Sequence, residues 1–465
     1  MIVGTKRLRN GRRDGNDPID RFGTFFHGPL GGLILRPWFD RVALRFMVRT
    51  FFPLSRLWAA AEAAGDDPRA FADQVPMELS RGPRHERLRA ALARSAELKA
   101  AAGQAERAWQ EAFFGTGPAD ELETVERHRR RSVSAFMAAR WQFRFLRRAA
   151  PPVRFSTAGP DRAEQRFGRF RTDPAQLFTP PSGVAIAQSR SIAHDGFVHT
   201  WLNFKTPFAD LGDTAWAHVY EPVGGYDHTV IMGHGLGIEA DMWDGSLHMA
   251  PHFAGRRVRV IEPEAPWHGR RRPPGVYGGE PFIALGPFGA IEEFAAQVAE
   301  IGCLIGWARA TGSGRVGIGG ISLGALNSQL VVAHAQTWPQ EMRPDAAFLV
   351  TTTDRLDEVA WYGGFAVGFG TAKAFAAAGW DHDHLMQWMP ITAPVGEPSI
   401  PPERIVVMLG RRDSVMPFKG AEAFVRRWAI PEANLYLQRR GHFTVPLGLA
   451  RDHGPIDRFC SVLGS

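Results

Sequence analysis

Two textures of apolar and polar positions divide the chain. Up to about Ala150 the apolar residues recur at helical spacing. Glu86 to Phe114 and Glu121 to Arg148 are rich in alanine, leucine, arginine and glutamate, which predicts long helices. Trp38 to Trp58 predicts another. Pro151-Pro152 breaks the pattern, and Ser156 to Gly183, rich in proline, glycine and arginine, reads as a connecting stretch. From Val184 onward short β-branched runs alternate with amphipathic ones. His199–Phe204 and Ala215–Tyr220 read as early antiparallel strands. HTVIMGHG, RVRVIEPE, VGIGGISLG, AAFLVTTT, RIVVMLG and NLYLQ follow, with helical stretches such as Glu292–Ala308 and Ala325–Ala335 between them. Repeated strand–helix–strand units imply an α/β class, a mainly parallel sheet with helices on both faces and right-handed crossovers. The predicted organisation is a helical extension and linker over 1–183, then an α/β domain over 184–465 with a candidate cap over 354–400. No internal repeat stands out.

In such a sheet, ligands sit beyond the carboxyl ends of the strands, so reactive residues should follow strands directly. They do. Strand VGIGGI runs into Gly320-Ile321-Ser322-Leu323-Gly324 and then a helix, the strand-to-helix context that G-x-S-x-G requires. A tight turn there lifts a serine into a strained, reachable position, and the helix N-terminus adds free N–H groups. HTVIMG ends in Gly233-His234-Gly235-Leu236-Gly237. A glycine-rich bend of this kind exposes backbone N–H groups for a developing oxyanion; Leu236 and Leu323 are the candidate donors. His234 is expected to hold this loop rather than act as a base. RIVVMLG leads to Asp413, and NLYLQ to His442. A histidine on the loop after the last strand can reach the serine as general base, and an acid fixes its tautomer. Asp354, after AAFLVTTT, is the rival for the acid.

The segments VIMGHGLG, GISLG, GRRDSVMP and GHF, in that order, resemble the α/β-hydrolase superfamily. The resemblance runs from about Ala215 to Ser465. It implies an eight-stranded type of sheet, no cofactor, and ester hydrolysis through an acyl-enzyme on Ser322. EAPWHGRRRPPG also looks like a group of bacterial α/β-hydrolase-domain proteins with proposed lipid roles. The first 180 residues resemble no family. Fold alone does not fix function. The reading is therefore a serine hydrolase of a carboxylic ester, with a lipid acyl ester as the candidate substrate. Its alternatives are a non-catalytic lipid-surface binding protein and an acyltransferase.

Composition narrows the partners. With 55 Lys+Arg against 48 Asp+Glu the formal charge is +7, which favours anionic partners. Lysine contributes five of those cations, so the basic surplus is an arginine surplus. Arg41, Arg45 and Arg49 recur every four residues inside Trp38–Trp58, which places them on one helical face among aromatic residues. That pattern suits either contact with an anionic membrane surface or a helix packed on the core with its arginines outward. Arg270, Arg271 and Arg272 follow a core strand and are candidates for holding an anionic substrate group, or are solvated surface. Trp361 opens an aromatic stretch that reads as an acyl-binding wall or a small packed core. The run Asp381-His382-Asp383-His384 lacks the ligand spacing of a metal site. No nucleic-acid module is present. Two cysteines, Cys303 and Cys460, suit a reducing compartment. MIVGTKRLRNGRRDGNDPIDRFG has no apolar leader core. The expected location is cytoplasmic, with peripheral membrane contact in one reading.

Overall fold

The computed structural model describes residues 36–76, 82–117, 121–239 and 249–465; the stretch examined for a leader lies outside them. Ten strands form one sheet: β1 (Ala187–Gln188), β2 (Ile192–His194), β3 (Phe197–Lys205), β4 (Thr214–Pro222), β5 (His228–Gly233), β6 (Val258–Pro263), β7 (Val316–Ile321), β8 (Ala346–Val350), β9 (Ile405–Gly410) and β10 (Leu435–Gln438). The order is β1-β3-β4-β6-β5-β7-β8-β9-β10, with β2 on β3. β1 to β4 pair antiparallel, β4 meets β6 antiparallel, and β5 through β10 are parallel to their neighbours. Strands β5 to β9 read as continuous apolar runs because helices cover both of their faces. Nearly every residue in them is buried.

Helices Pro287–Ala310 and Leu323–His334 cover one face of the sheet, and Ala250–Ala254 and Gly454–Gly464 the other. The first of these is buried almost all round its circumference. Between β8 and β9 lie five short helices from Leu356 to Thr392, within the stretch read as a cap. Among the described residues no helix is long and apolar enough to cross a membrane.

The described residues of the N-terminal region are mainly helical, as read, with two departures. The segment around Trp38–Trp58 is not one regular helix: α1 (Pro37–Phe46) passes through a π-turn (Met47–Phe51) into α2 (Phe52–Ala64). Pro53 is the local cause. It offers no N–H to the carbonyl four residues earlier, and its ring crowds that carbonyl, so the preceding turn widens. The stretch Ser156–Gly183 is also more than a connection. It holds a helix, Pro160–Thr172, with Pro160 in its first turn. Ala163, Phe167 and Phe170 are buried at i, i+4 and i+7, an apolar stripe that the proline and glycine content masked.

The helical region packs directly on the sheet domain. α2 is buried on all sides, and Phe52 touches Tyr277, Phe365 and Phe369. Helix α3 (Pro83–Phe114) sets Trp109 and Phe113 against Trp201 of β3. Arginines tie the two parts. Arg56 donates to Glu280 at 2.6 Å, both side chains being buried. Arg272 reaches Glu62 of α2 and lies over Trp58. Arg270 pairs with Glu106 of α3 and Glu264, between the Trp109 and Trp216 rings. Arg271 is fully buried and bidentate to Glu300 at 2.8 Å, with Asp213 at 2.8 and 3.0 Å. Burial works against its charge, but Glu300 and Asp213 together hold its pKa above the ordinary value.

One buried carboxyl lacks such compensation. Glu293, under the helix that follows Ser322, accepts from Asn327 Nδ2 at 2.9 Å, and its other oxygen has no hydrogen-bond partner among the described residues. Burial pushes it from 4.5 up to about 8. An acid whose folded pKa is raised favours the native state fully below its unfolded pKa, and that contribution fades as pH rises through the folded pKa. Glu293→Gln keeps the shape and stays neutral. It should raise the unfolding free energy at pH 8–9 by on the order of 2–4 kcal/mol, seen as a higher melting temperature, and give no gain near pH 4. Melting curves across this range check it; a shift independent of pH would refute the assignment.

Candidate active site

Ser322 sits between β7 and the helix Leu323–His334 with φ 57° and ψ −114°. A non-glycine residue there is strained and persists only when its surroundings over-determine it. They do so by close backbone contact. A Cβ on Gly320 would lie 2.4 Å from the Gly324 carbonyl carbon and 2.7 Å from the Gly233 oxygen. One on Gly324 would lie 2.2 Å from the Gly233 carbonyl carbon. The flanking glycines are thus required because the end of β5 touches the start of the helix. The Gly324 N–H donates to the His234 carbonyl at 2.9 Å, which links the serine turn to the loop after β5.

The imidazole of His442 stands over the serine. Its Nε2 is 3.0 Å from Ser322 Oγ and its Nδ1 is 2.8 Å from Asp413 Oδ2. The second Asp413 oxygen accepts the N–H groups of Val415 at 2.9 Å and Met416 at 2.8 Å. With Nδ1 facing a carboxylate, that nitrogen carries the proton, and Nε2 is left to accept from the serine hydroxyl. Ser322 and His442 are buried but line the cavity. Asp354 lies elsewhere: it is ion-paired with Arg427. The structure therefore brings Ser322, His442 and Asp413 together and leaves Asp354 out.

Gly235, Leu236 and Gly237 bend past the serine, and a Cβ on Gly235 would be 3.6 Å from that of Ser322. The Leu323 N–H opens a helix, so it has no acceptor within the helix. Leu236 and Leu323 both line the cavity beside Ser322. Two buried histidines hold the bend. His234 faces the Gly235 carbonyl through Nδ1 at 2.8 Å and accepts the Ala265 N–H through Nε2 at 3.1 Å. His268 faces the Pro266 carbonyl through Nδ1 at 2.9 Å and accepts the Gly237 N–H at 3.2 Å. Burial lowers His234 to about 4 and His268 well below the ordinary value. Both are neutral at physiological pH, protonated on Nδ1, and serve as struts.

The cavity measures about 390 Å³, within the usual range for small-molecule sites. Apart from Ser322, His442, Asp357, Thr371 and Thr392, its lining is apolar or glycine. The helices between β8 and β9 contribute Phe365, Phe369, Phe375 and Trp388, and α1 with the π-turn after it contributes Phe39, Ala43, Phe46 and Met47.

Other expectations need correction. Arg270, Arg271 and Arg272 do not line the cavity and are not solvated surface either. Each is consumed in ion pairs inside the protein, because their strand end is roofed by the N-terminal helices. Trp361 does not line the cavity; its ring packs edge-on against Phe375. In the Asp-His run, Asp381 caps its helix by accepting the His384 N–H, and His382 pairs with Asp357. Sequence reading missed His268 and also Asp40, whose carboxylate binds the loop that carries His442. His268 is discoverable as a histidine just past a core strand. Asp40, four hundred positions from its partners, left no signal.

No family model matches the sequence, and no curated protein matches it. Solved structures do resemble it. A cold-adapted esterase from an Arctic intertidal metagenomic library covers 59% of this chain and 97% of its own, at 16% identity and TM-score 0.40. The acetyl xylan esterase from Paenibacillus sp. R4 covers 67% and 97%, at 12% identity and TM-score 0.46. The S-formylglutathione hydrolase from Agrobacterium tumefaciens covers 59% and 99%, at 16% identity and TM-score 0.39. What tells one doubly covered parallel sheet from another is where its order turns back and what stands there. Here it turns at β5 and β7, the serine elbow and the glycine bend stand at that point, and the chain has the α/β-hydrolase fold.

Proposed function

We propose that the protein hydrolyses carboxylic esters of apolar acyl groups through an acyl-enzyme on Ser322. The observation that carries this reading is the unbroken row Asp413–His442–Ser322, hydrogen-bonded at 2.8 and 3.0 Å at the base of an apolar cavity. In the first half-reaction His442 Nε2 takes the serine proton as Oγ attacks the ester carbonyl. The oxyanion forms beside the N–H groups of Leu236 and Leu323. The alkoxide then leaves with the proton from His442, and Ser322 is acylated. In the second, His442 deprotonates a water that attacks the acyl carbonyl, and the carboxylate departs as the proton returns to Ser322. Asp413 stabilises the imidazolium in both halves.

The lipid class of the substrate is supported by the cavity wall and by the outer surface of that wall. On α1 and the π-turn after it, exposed residues form two neighbouring stripes at four-residue spacing, of which Phe46 also lines the cavity. Trp38, Val42 and Phe46 are 51%, 53% and 44% exposed, and Arg41, Arg45 and Arg49 are exposed beside them. Aromatic and aliphatic groups next to cations suit an anionic bilayer surface, where each basic residue contributes roughly 1 kcal/mol. The inner face of the same helix packs on the cavity, so the packed and the membrane-facing readings describe opposite sides of one element.

Three measurements test this. A fluorophosphonate probe should label the wild type and not Ser322→Ala, and the variant should retain less than about a thousandth of the esterase rate. Persistent labelling or activity would remove Ser322 as nucleophile. Asp413→Asn should lower kcat by about 10³- to 10⁴-fold while Asp354→Asn changes it little; the reverse order would exchange their roles. For the surface, the protein should sediment with vesicles containing anionic phospholipid at low salt and be released at high salt, since headgroup attraction is screened. The triple variant Arg41→Gln/Arg45→Gln/Arg49→Gln should remain in the supernatant. A wild type that ignores every vesicle composition would end the membrane proposal and leave the esterase proposal standing.

A further inference from the structure

The geometry points to Asp40 of α1 as a positioning residue for the general base. Its carboxylate organises the loop Gly441–Thr444 and so sets the height of His442 over Ser322. This rests on the proposed role of His442.

Asp40 is buried. One oxygen accepts the N–H of Phe443 at 2.8 Å and of Thr444 at 3.1 Å. The other accepts the N–H of Gly441 at 3.2 Å and the Thr444 hydroxyl at 2.5 Å. The carboxylate thus gathers backbone donors from both neighbours of His442 and from the residue after them. Such charge-assisted bonds are roughly twice as strong as neutral ones. A Cβ on Gly441 would lie 2.5 Å from the Asp40 carboxyl carbon, so the glycine is what lets the loop close on it. The Thr444 hydroxyl also receives the Gly441 N–H at 3.2 Å, which closes the loop on itself. Among the described residues the Phe443 and Thr444 N–H groups have no other side-chain acceptor.

The neighbouring contacts show why position is at stake. His442 is fixed at Nδ1 by Asp413, on the loop after β9, and at Nε2 by Ser322, on the elbow after β7. Its backbone anchor comes from a third, distant part of the chain. Removing it leaves several buried N–H groups unpaired, and a loop that moves to find water carries the imidazole with it. A displacement of 1 Å in a reacting group can cost about 100-fold in rate. Asp40 is not itself part of the cavity lining and does not touch the reacting atoms, so its action is indirect.

The test uses the full chain. Asp40→Asn presents an amide whose N–H₂ faces backbone donors, so about half the acceptor capacity is lost at constant size. We expect kcat to fall about 10- to 100-fold with KM within about threefold, for protein whose melting remains cooperative. Amide hydrogen exchange should speed up at Gly441, Phe443 and Thr444 while the β7 and β9 amides stay protected. Thr444→Val removes only the hydroxyl contacts and should give the same pattern at roughly a tenth of the size; it serves if Asp40→Asn does not fold. An Asp40→Asn variant with unchanged kcat, or with KM rising in place of the kcat fall, overturns the positioning role. If the wild type itself is inert to esters and to the fluorophosphonate, the esterase proposal fails instead. The exchange pattern then decides the clamp alone: unchanged exchange at 441–444 overturns it.

Discussion

Everything at the site hangs on the approach of Gly233, Gly320 and Gly324. Where β5 ends against the first turn of the helix after β7, backbone meets backbone with no room for a side chain. That contact brings the serine turn and the bend after β5 together at the switch point of the sheet. It also explains why Ser322 tolerates its positive φ: the turn cannot relax without separating β5 from the helix. The struts His234 and His268 act on the same contact from the far side, and their neutrality follows from it. Burial disfavours an imidazolium at either position, and each ring uses one nitrogen to donate and one to accept.

Arginine is the second constraint. A +7 chain with few lysines suggests a cationic exterior, yet several of its arginines are interior joints. Arg56, Arg270 and Arg272 lie between the N-terminal helices and the sheet, paired with Glu280, Glu106 and Glu62, while Arg271 is paired with Glu300 inside the sheet domain. A planar guanidinium can satisfy two carboxylates and lie on an indole at once, which a lysine cannot. Buried pairs of this kind add little net stability against an apolar alternative, but removing one partner is costly. Their effect here is to fix where the helices dock, and hence where the cavity wall stands.

This difference between local and distant information accounts for what was legible in the sequence. Continuous apolar runs such as VVML in β9 mark a buried parallel sheet because both their faces are covered, and a serine between glycines at a strand end marks a turn by local sterics alone. His442 and Asp413 were readable as candidates because each follows a strand directly. The arginine run was misread because its meaning depends on what roofs it: the same three residues would be a substrate clamp or a wet surface if α2 and α3 were absent. Trp361 was misplaced for a similar reason. In a short helix one step round the axis exchanges cavity for packed interior, and Ala360 lines the space that Trp361 does not. The helix at Pro160–Thr172 was hidden by composition, although its stripe of Ala163, Phe167 and Phe170 was present.

The N-terminal helix α1 is where these threads meet, because its sides meet three environments. Phe39, Ala43 and, just past its end, Met47 line the cavity, Asp40 enters the histidine loop, and the Trp38 and Arg41 stripes face outward. A helix offers side chains every 100°, so one short element can serve three environments only if each residue is placed to within one position. Its attachment is correspondingly mixed. The π-turn before Pro53 joins α1 to the buried α2, and Leu44 and Val48 press against Gly364 and Gly368 in the helices between β8 and β9. A force on the outer stripes would therefore be felt at the cap and at the His442 loop together, through contacts too close-packed to absorb it. The extension is thus part of the site's construction: without it the cavity loses a wall and the histidine loop loses its acceptor.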